Sequence, residues 1–219
     1  MKRRQFVKAT AGAAVLLRPT RLFAQSFDLV VRGGRVVDPS LNLDMVVDIG
    51  VVGDRIAAVA PNLGSAADAE IDARDRIVMP GILDIHAHYA QDSEGPHICL
   101  SDGVTGWVDA GSAGADNIDE IVAVARSAPQ SAGILLNIGR RGVIPEGDTA
   151  DISLANVEVA KAAIARNLDY VVGVKARMTE GVTANDITVI RRAQEVASYF
   201  NLPLMIHICL LYTSDAADE

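Results

Sequence analysis

The chain of 219 residues is poor in cysteine and in aromatic side chains. It has two cysteines, Cys99 and Cys209, which excludes a small fold built on a disulfide framework. Cys99 has no histidine at a telling spacing, so we expect a small buried side chain there. No stretch is long and apolar enough to predict a membrane-spanning helix in a mature protein. Half of the residues are hydrophobic, which suffices for the core of an ordinary globular protein.

Positive charge is scarce beyond residue 26. The formal net charge is −8, yet the first 26 residues alone carry six Lys or Arg and no Asp or Glu. The remainder has 14 basic side chains against 28 acidic ones, without a basic stripe. We therefore expect no nucleic-acid partner and no membrane partner. A homo-oligomer is left open by the sequence.

Residues 1–26 are typical of an export signal. Residues 2–8 supply a basic start, residues 9–17 a short apolar core, and Ala24 a cleavage site. The Arg3-Arg4 pair in this basic start resembles a twin-arginine signal, which predicts a periplasmic or exported protein. Two further arginines before the cleavage site are atypical, so the basic leader of a cytoplasmic protein is the alternative.

Residues 27–79 alternate short β-branched runs with glycine turns. The Gly33-Gly34 and Gly53-Asp54 pairs mark two of these turns. This spacing predicts a small β-sandwich or meander.

A Pro-Gly pair at residues 80–81 leads into a short apolar run that ends in two histidines. The run predicts a buried strand. His86 and His88 are two residues apart, so on a strand they project from one face and can bind one metal ion near its carboxyl end. His-x-His pairs also occur in loops without binding metal, and this stretch alone leaves that alternative open. We expect Asp84 to support the site and not to be a ligand.

After His88 the pattern changes to alternating strands and helices. With the strand that precedes His86, five strands argue for the first half of a parallel (β/α)8 barrel over residues 80–208, with its chemistry at the carboxyl ends of the strands. The other strands are predicted at residues 104–109, 134–138, 171–176 and 202–208, and the helices at residues 118–125, 153–166 and 183–200. Asp116 is the candidate N-cap of the first of these helices.

Lys175 lies inside the buried strand predicted at residues 171–176, where a lone ammonium group is costly. A salt bridge would relieve that cost. A lowered pKa would relieve it too, and would leave an amine able to take up carbon dioxide as a carbamate. His207 ends the following strand, in the same setting as His86 and His88.

These motifs resemble the amidohydrolase superfamily, in particular its dihydroorotase-like branch, the amidohydrolase/deacetylase family of metallohydrolases. The resemblance covers nearly all of residues 27–208. The stretches that carry it are Gly33 to Pro39, Val78 to His88, Gly103 to Thr105, Val108 to Gly114, Val174 to Arg177 and Leu204 to His207.

The resemblance implies a centre of two divalent metal ions, usually zinc. His86 and His88 would bind one ion, Lys175 as a carbamate would bridge both, and His207 would bind the other. Arg177 could pair with a substrate carboxylate, although a solvated arginine is an equal alternative. A TIM-like barrel with a small N-terminal β-sandwich is the implied fold.

The implied reaction is hydrolysis of an amide or activated ester in a small acylated, carboxylate-bearing substrate by a metal-activated hydroxide, as in deacetylases and aminoacylases. A dihydroorotase-type cyclic amidase is one alternative, although an export signal disfavours it. A non-catalytic metal-binding or assembly subunit is the other.

The end of the chain departs from the family pattern. A complete member carries three more strands, a further metal-binding His and an Asp that ligates metal and shuttles the proton. Residues 209–219 resemble the translation of a transposase adapter used in sequencing libraries, so we expect the native frame to be cut after Ile208. A chain of this length is then expected to be inactive and poorly folded.

Overall fold

A computed structural model describes residues 26–64, 66–179, 182–183 and 187–208. Most of the predicted export signal and the adapter-like segment therefore lie outside the described residues. Contacts divide the chain into two compact units, with the boundary between Pro80 and Gly81. In the part that the structure describes, no helix is long and apolar enough to cross a membrane.

The N-terminal unit is one mixed sheet of five strands. The strands are β1 (Phe27–Asp38), β2 (Leu43–Val52), β3 (Arg55–Ala60), β4 (Ala67–Asp72) and β5 (Ile77–Val78). Their order in the sheet is β3-β2-β1-β4, and β5 also pairs with β1. The β1–β2 and β2–β3 pairs are antiparallel, whereas β4 and β5 run parallel to β1.

The turn expected at Gly33-Gly34 is a bulge inside one long strand. Gly33 has φ +67°, a left-handed conformation that glycine adopts without steric cost, so β1 continues through it with a shifted register. Two small hydrophobic clusters cover the sheet, one around Phe27 and Val30 and one around Val36 and Val47. One mixed sheet thus forms where the sequence predicts a sandwich or meander.

A partly buried ion pair lies in this N-terminal unit. The Asp48 carboxylate accepts hydrogen bonds from the backbone N–H of Gly33 at 2.8 Å and of Leu63 at 3.0 Å, and from Arg32 Nη1 at 3.3 Å. Arg32 also donates to Leu63 O and to Glu70. Burial pushes the pKa of Asp48 up, but the donors outweigh burial and the pKa is lowered.

The second unit is a parallel sheet of five strands that pair in chain order. Helices connect the strands, which confirms the predicted first half of a TIM-like barrel. The strands are β6 (Ile82–Ala87), β7 (Val104–Asp109), β8 (Ser131–Asn137), β9 (Val171–Met178) and β10 (Leu204–Ile208). The helices are α1 (Gly95–Ser101), α2 (Ile118–Ser127), α3 (Val157–Ala165) and α4 (Ile187–Tyr199).

The core of this unit lies between sheet and helices. Trp107, Leu136 and Val174 from the strands are buried with Ile118 of α2 and Val189 of α4. The α2 side chains that face the core recur at helical spacing, as expected. Cys99 is buried, as predicted, and its thiol donates to Pro96 O at 3.2 Å.

Helix starts differ from the sequence predictions. Asp116 does not cap α2, because its carboxylate pairs with Arg140 at 2.8 Å. The residues from Ile152 to Leu154 form a 3-10 turn, and α3 begins after Asn156, whose side chain accepts from Val159 N–H at 3.0 Å. The seven-residue helix α1 has no counterpart in the sequence predictions, because it is too short to show an apolar period.

Candidate metal centre

The sheet of the second unit is curled, and the curl brings its two outermost strands together. His86 on β6 and His207 on β10 have ring centroids 6.0 Å apart. Five strands in a flat sheet would span about 19 Å, from four spacings of about 4.8 Å. The ring of His88, immediately after β6, lies 6.1 Å from that of His86. Three predicted ligands from opposite edges of the sheet therefore face one region.

Lys175 lies at the base of this group. Lys175 is 1% exposed. Its Nζ lies 3.2 Å from His86 Nε2 and 3.4 Å from Met205 Sδ. The salt bridges of the described residues do not include Lys175. Burial, followed by the charge of Arg177, lowers the pKa of Lys175 against the opposing effect of Asp109 and Asp148. Of the two alternatives for this lysine, the ion pair is not formed among the described residues.

The two imidazoles nearest to Lys175 are biased towards their neutral form. Burial lowers the pKa of His86, and Lys175 and His88 lower it further. Burial and Lys175 likewise lower the pKa of His207. A neutral imidazole is the form that binds a metal ion.

The loop after β7 wraps against the lysine. Gly111 has φ +87°, and a Cβ added to it would lie 2.7 Å from Cβ and Cγ of Lys175. Ser112 Oγ lies 2.7 Å from His88 Nδ1 and donates to Asp109 Oδ2 at 2.7 Å. Burial raises the pKa of Asp109, although three hydrogen bonds from Ser112 and Gly111 oppose it. In the sequence, this loop stands out only as part of a stretch that carries the family resemblance. No residue spacing identifies Ser112 as a functional residue.

A buried carboxylate, that of Asp148 in the loop after β8, contacts side chains near the carboxyl ends of β8 and β9. Asp148 is 1% exposed and accepts from Asn137 Nδ2 at 2.8 Å. Arg177 Nε lies 3.1 Å from Asp148 Oδ2, and the two groups form an ion pair. The Nε–H group does not point at this oxygen well enough to count as a hydrogen bond. Asn137 Nδ2 also donates to Gly111 O at 3.1 Å. The residue predicted to bind substrate is thus held through a buried carboxylate that sequence analysis missed.

The donor set suits a metal centre that includes a carbamate. Within the described residues, no three His, Cys, Asp or Glu side chains converge closely enough to hold one ion. Three imidazoles and one buried amine lie together, and a carbamate on that amine would add two oxygen ligands to three nitrogen ligands. Nitrogen and oxygen donors of this kind fit zinc. Asp84 supports the backbone here, accepting from His86 N–H at 2.9 Å and from the Tyr89 hydroxyl at 3.2 Å.

A curled parallel sheet with polar groups at the carboxyl ends of its strands defines the class of TIM-like barrel enzymes. No protein-family model matches the chain. A curated deacetylase of Enterococcus faecalis is 33% identical over 193 residues, covering 83% of this chain and 50% of the relative. The crystal structure of a dihydroorotase superposes with TM-score 0.71 and 25% identity, over 82% of this chain and 50% of the other.

A solved N-acyl-D-glutamate deacylase from Bordetella bronchiseptica, complexed with zinc and a phosphonate inhibitor, shares the fold, with TM-score 0.62, 17% identity and coverage of 84% of this chain and 45% of the other. The chain belongs to the amidohydrolase superfamily. It spans about half the length of the curated relatives that it matches.

Proposed function

We propose that the chain is the metal-binding part of a hydrolase that cleaves an amide or activated ester in a small, acylated, carboxylate-bearing molecule. The observation that carries the proposal is Lys175, a buried amine at 3.2 Å from an imidazole, with no carboxylate in ion-pair distance among the described residues. Burying an amine without an ion pair costs stability, and its presence therefore favours a chemical role. The deacetylase name of the Enterococcus relative supports the acyl substrate.

Lys175 would form the bridging ligand by carbamylation. The lone pair of the neutral amine attacks the carbon of carbon dioxide, a C–N bond forms, one C=O π bond opens, and the amine proton leaves to solvent. The lowered pKa of Lys175 increases the fraction of neutral amine that this step requires. The product carries a negative charge, whereas a protonated lysine carries a positive one. The carbamate would therefore attract the metal ions that His86 and His207 would bind.

His86 and His88 would hold one ion, the Lys175 carbamate would join both, and His207 would hold the second. When bound, a pair of divalent ions supplies Lewis-acid polarisation of the scissile carbonyl and activation of water. Burial favours the neutral, metal-binding form of His86 and of His207.

Arg177 would orient the carboxylate of the substrate. Asp148 restrains the guanidinium from the Nε side at 3.1 Å, so a carboxylate would approach the terminal nitrogens, whose fork suits it. Arg177→Lys should raise KM for a carboxylate-bearing substrate more than it lowers kcat. An equal effect on an uncharged acyl substrate would argue against this role.

Metal analysis of purified variants tests the centre. We expect about two ions per chain, and a loss of metal in His86→Ala and in His207→Ala. His97→Ala is the matched control, because His97 is an exposed residue of α1. Unchanged metal content in both site variants would contradict the proposed centre.

Carbon-13 NMR tests the carbamate directly. With labelled bicarbonate and zinc, we expect one carbamate signal that Lys175→Ala removes. Lys161→Ala is the control, since Lys161 pairs on the surface with Glu158 and Glu195 and should leave the signal unchanged. A signal that survives Lys175→Ala would exclude the bridging role.

A dihydroorotase-type cyclic amidase is the second candidate, favoured by the superposition on a dihydroorotase. A full-length protein assayed on N-acetyl amino acids, acetylated hydroxy acids and dihydroorotate separates the two. Turnover of dihydroorotate alone would favour the cyclic amidase. Stoichiometric metal without any turnover would favour a non-catalytic metal-binding or assembly subunit.

We also propose that residues 1–24 direct export to the periplasm. The support is the twin-arginine pattern with an apolar core and Ala24 as the cleavage site. A reporter fused to these residues should lose export when Arg3 and Arg4 are both replaced by lysine. Full export of that variant would exclude the twin-arginine route.

A further inference from the structure

The ring of His88 has two nitrogens, and only a nitrogen without a hydrogen can bind a metal ion. Which nitrogen carries the hydrogen is decided by the hydrogen bond that the other one makes. In this structure His88 Nδ1 lies 2.7 Å from Ser112 Oγ. A hydroxyl can donate or accept, so this distance alone does not assign the tautomer.

Asp109 decides which way the Ser112 hydroxyl points. Its Oδ1 accepts from the backbone N–H of Gly111 at 3.1 Å and of Ser112 at 2.7 Å, which fixes the carboxylate in the loop. Its Oδ2 lies 2.7 Å from Ser112 Oγ. An ionised carboxylate only accepts hydrogen bonds, so with Asp109 in that form the hydroxyl hydrogen lies between Ser112 and Asp109. The lone pairs of Ser112 Oγ then face the ring of His88, and Nδ1 must be the donor.

We infer that Ser112, held by Asp109, is a positioning residue that fixes His88 in the Nδ1–H tautomer and so presents its Nε2 to a metal ion. Asp109 is fully buried and Ser112 is 6% exposed, so water competes little for the hydrogen bond between them. The role of Ser112 in metal binding rests on the proposed function, but the tautomer of His88 itself does not require metal.

The tautomer can be read from the metal-free protein by 15N–1H correlation NMR of labelled histidine. The full-length protein is measured at about pH 8.5, where an ordinary imidazole is neutral, and His88→Gln identifies the signals of His88. We expect Nδ1–H in the wild type and in Ser112→Thr, which keeps the hydroxyl. Ser112→Ala should shift His88 towards Nε2–H. Ser101→Ala, at the exposed end of α1, is the control and should change nothing.

Asp109→Asn gives the sharper test, because it should invert the tautomer. The two backbone N–H groups still need an acceptor, so the amide oxygen takes the place of Oδ1 and the amide nitrogen faces Ser112. That nitrogen donates to Ser112 Oγ, whose hydroxyl turns to donate to His88 Nδ1 and leaves Nε2 protonated. Nδ1–H in Asp109→Asn, or Nε2–H in the wild type, would overturn the inference. If Asp109→Asn does not fold, the Ser112→Ala and Ser112→Thr pair decides it alone.

Zinc competition titrations give the second readout. Loss of an outer hydrogen-bond partner of a ligand typically weakens metal binding about 10- to 100-fold, which we expect for Ser112→Ala and not for Ser112→Thr. Equal affinities of wild type and Ser112→Ala would contradict the positioning role. A tautomer that responds as described in a protein that binds no zinc would instead contradict the proposed function and leave the inference standing.

Discussion

The two units each contain a buried aspartate near a buried or half-buried cation, and the two pairs behave in opposite ways. In the N-terminal unit, Asp48 accepts from Arg32 and from two backbone N–H groups, and its pKa is lowered. In the barrel unit, Asp109 accepts from a hydroxyl and two backbone N–H groups, and its pKa is raised. Lys175 nearby has a lowered pKa and, among the described residues, no ion pair.

The difference shows what each pair does. Arg32 and Asp48 neutralise each other and anchor the sheet to the loop at Leu63, which is a role in stability. Asp109 and Lys175 form no such ion pair among the described residues, which costs stability and is a pattern that clusters at functional sites. The barrel unit also keeps three histidines beside its lysine, whereas the N-terminal unit has none.

Exchange of each cation for methionine should separate the two roles most strongly. Lys175→Met should reduce zinc affinity by more than about 100-fold, since it removes a ligand and not only an outer partner. The same variant should raise the free energy of unfolding of the metal-free chain, because a buried amine is replaced by an apolar side chain. Arg32→Met should lower that free energy and leave zinc affinity unchanged. Zinc titration and urea unfolding measure both, and zinc loss in Arg32→Met would break the comparison.

Asp48→Ala is the next largest expected effect. It leaves the N–H groups of Gly33 and Leu63 without an acceptor, so the free energy of unfolding of the N-terminal unit should fall by about 1–3 kcal/mol. Urea unfolding followed by circular dichroism measures it. Asp28→Ala is a suitable control, because Asp28 is an exposed acceptor for the N–H of Gly53. An equal loss in the control would show that Asp48 has no special role.

Two glycines with positive φ give a smaller, matched contrast. Gly53 has φ +60° with nothing within 4 Å of an added Cβ, whereas Gly111 has φ +87° and would place that atom 2.7 Å from the Lys175 stem. Both alanine variants pay for the left-handed conformation, but only Gly111→Ala also overpacks, by about 1–3 kcal/mol. We expect Gly111→Ala to lose that much more stability than Gly53→Ala. Equal losses would mean that the loop moves away from Lys175.

The smallest and most gradual expected effect is a difference between the units in how their free energy of unfolding depends on pH. The pKa values of His86 and His207 are lowered, so folding releases protons from them, and the metal-free barrel unit should lose stability as pH falls below about 6.5. The lowered pKa of Asp48 gives stability that is lost only as pH falls below about 4. Trp107 is the single tryptophan and is buried in the barrel unit, so its fluorescence reports that unit alone. An acid transition of Trp107 that persists unchanged in His86→Asn with His207→Asn would refute the assignment.

Sequence periodicity was enough for most of the elements. Alternating apolar strands and amphipathic helices predicted β6 to β10 in their order, because a βαβ unit leaves a strong local signal. It failed for α1, which is seven residues long, and for the cap of α2, where the Asp116 carboxylate pairs with Arg140 across 24 residues of sequence. Such competition between a local cap and a distant partner is not visible in a local pattern.

The sequence by itself determined the identities of the proposed ligands, since three histidines lie at the ends of apolar strands and one lysine lies inside such a strand. These residues are His86, His88, His207 and Lys175. Tertiary structure alone decided that Lys175 forms no ion pair among the described residues, that Asp148 restrains Arg177, and that Ser112 joins Asp109 to His88. The physical reason is the distance along the chain between the interacting residues. A strand pattern is written in neighbouring residues, whereas a hydrogen-bond network depends on how the sheet curls and brings together side chains far apart in the chain.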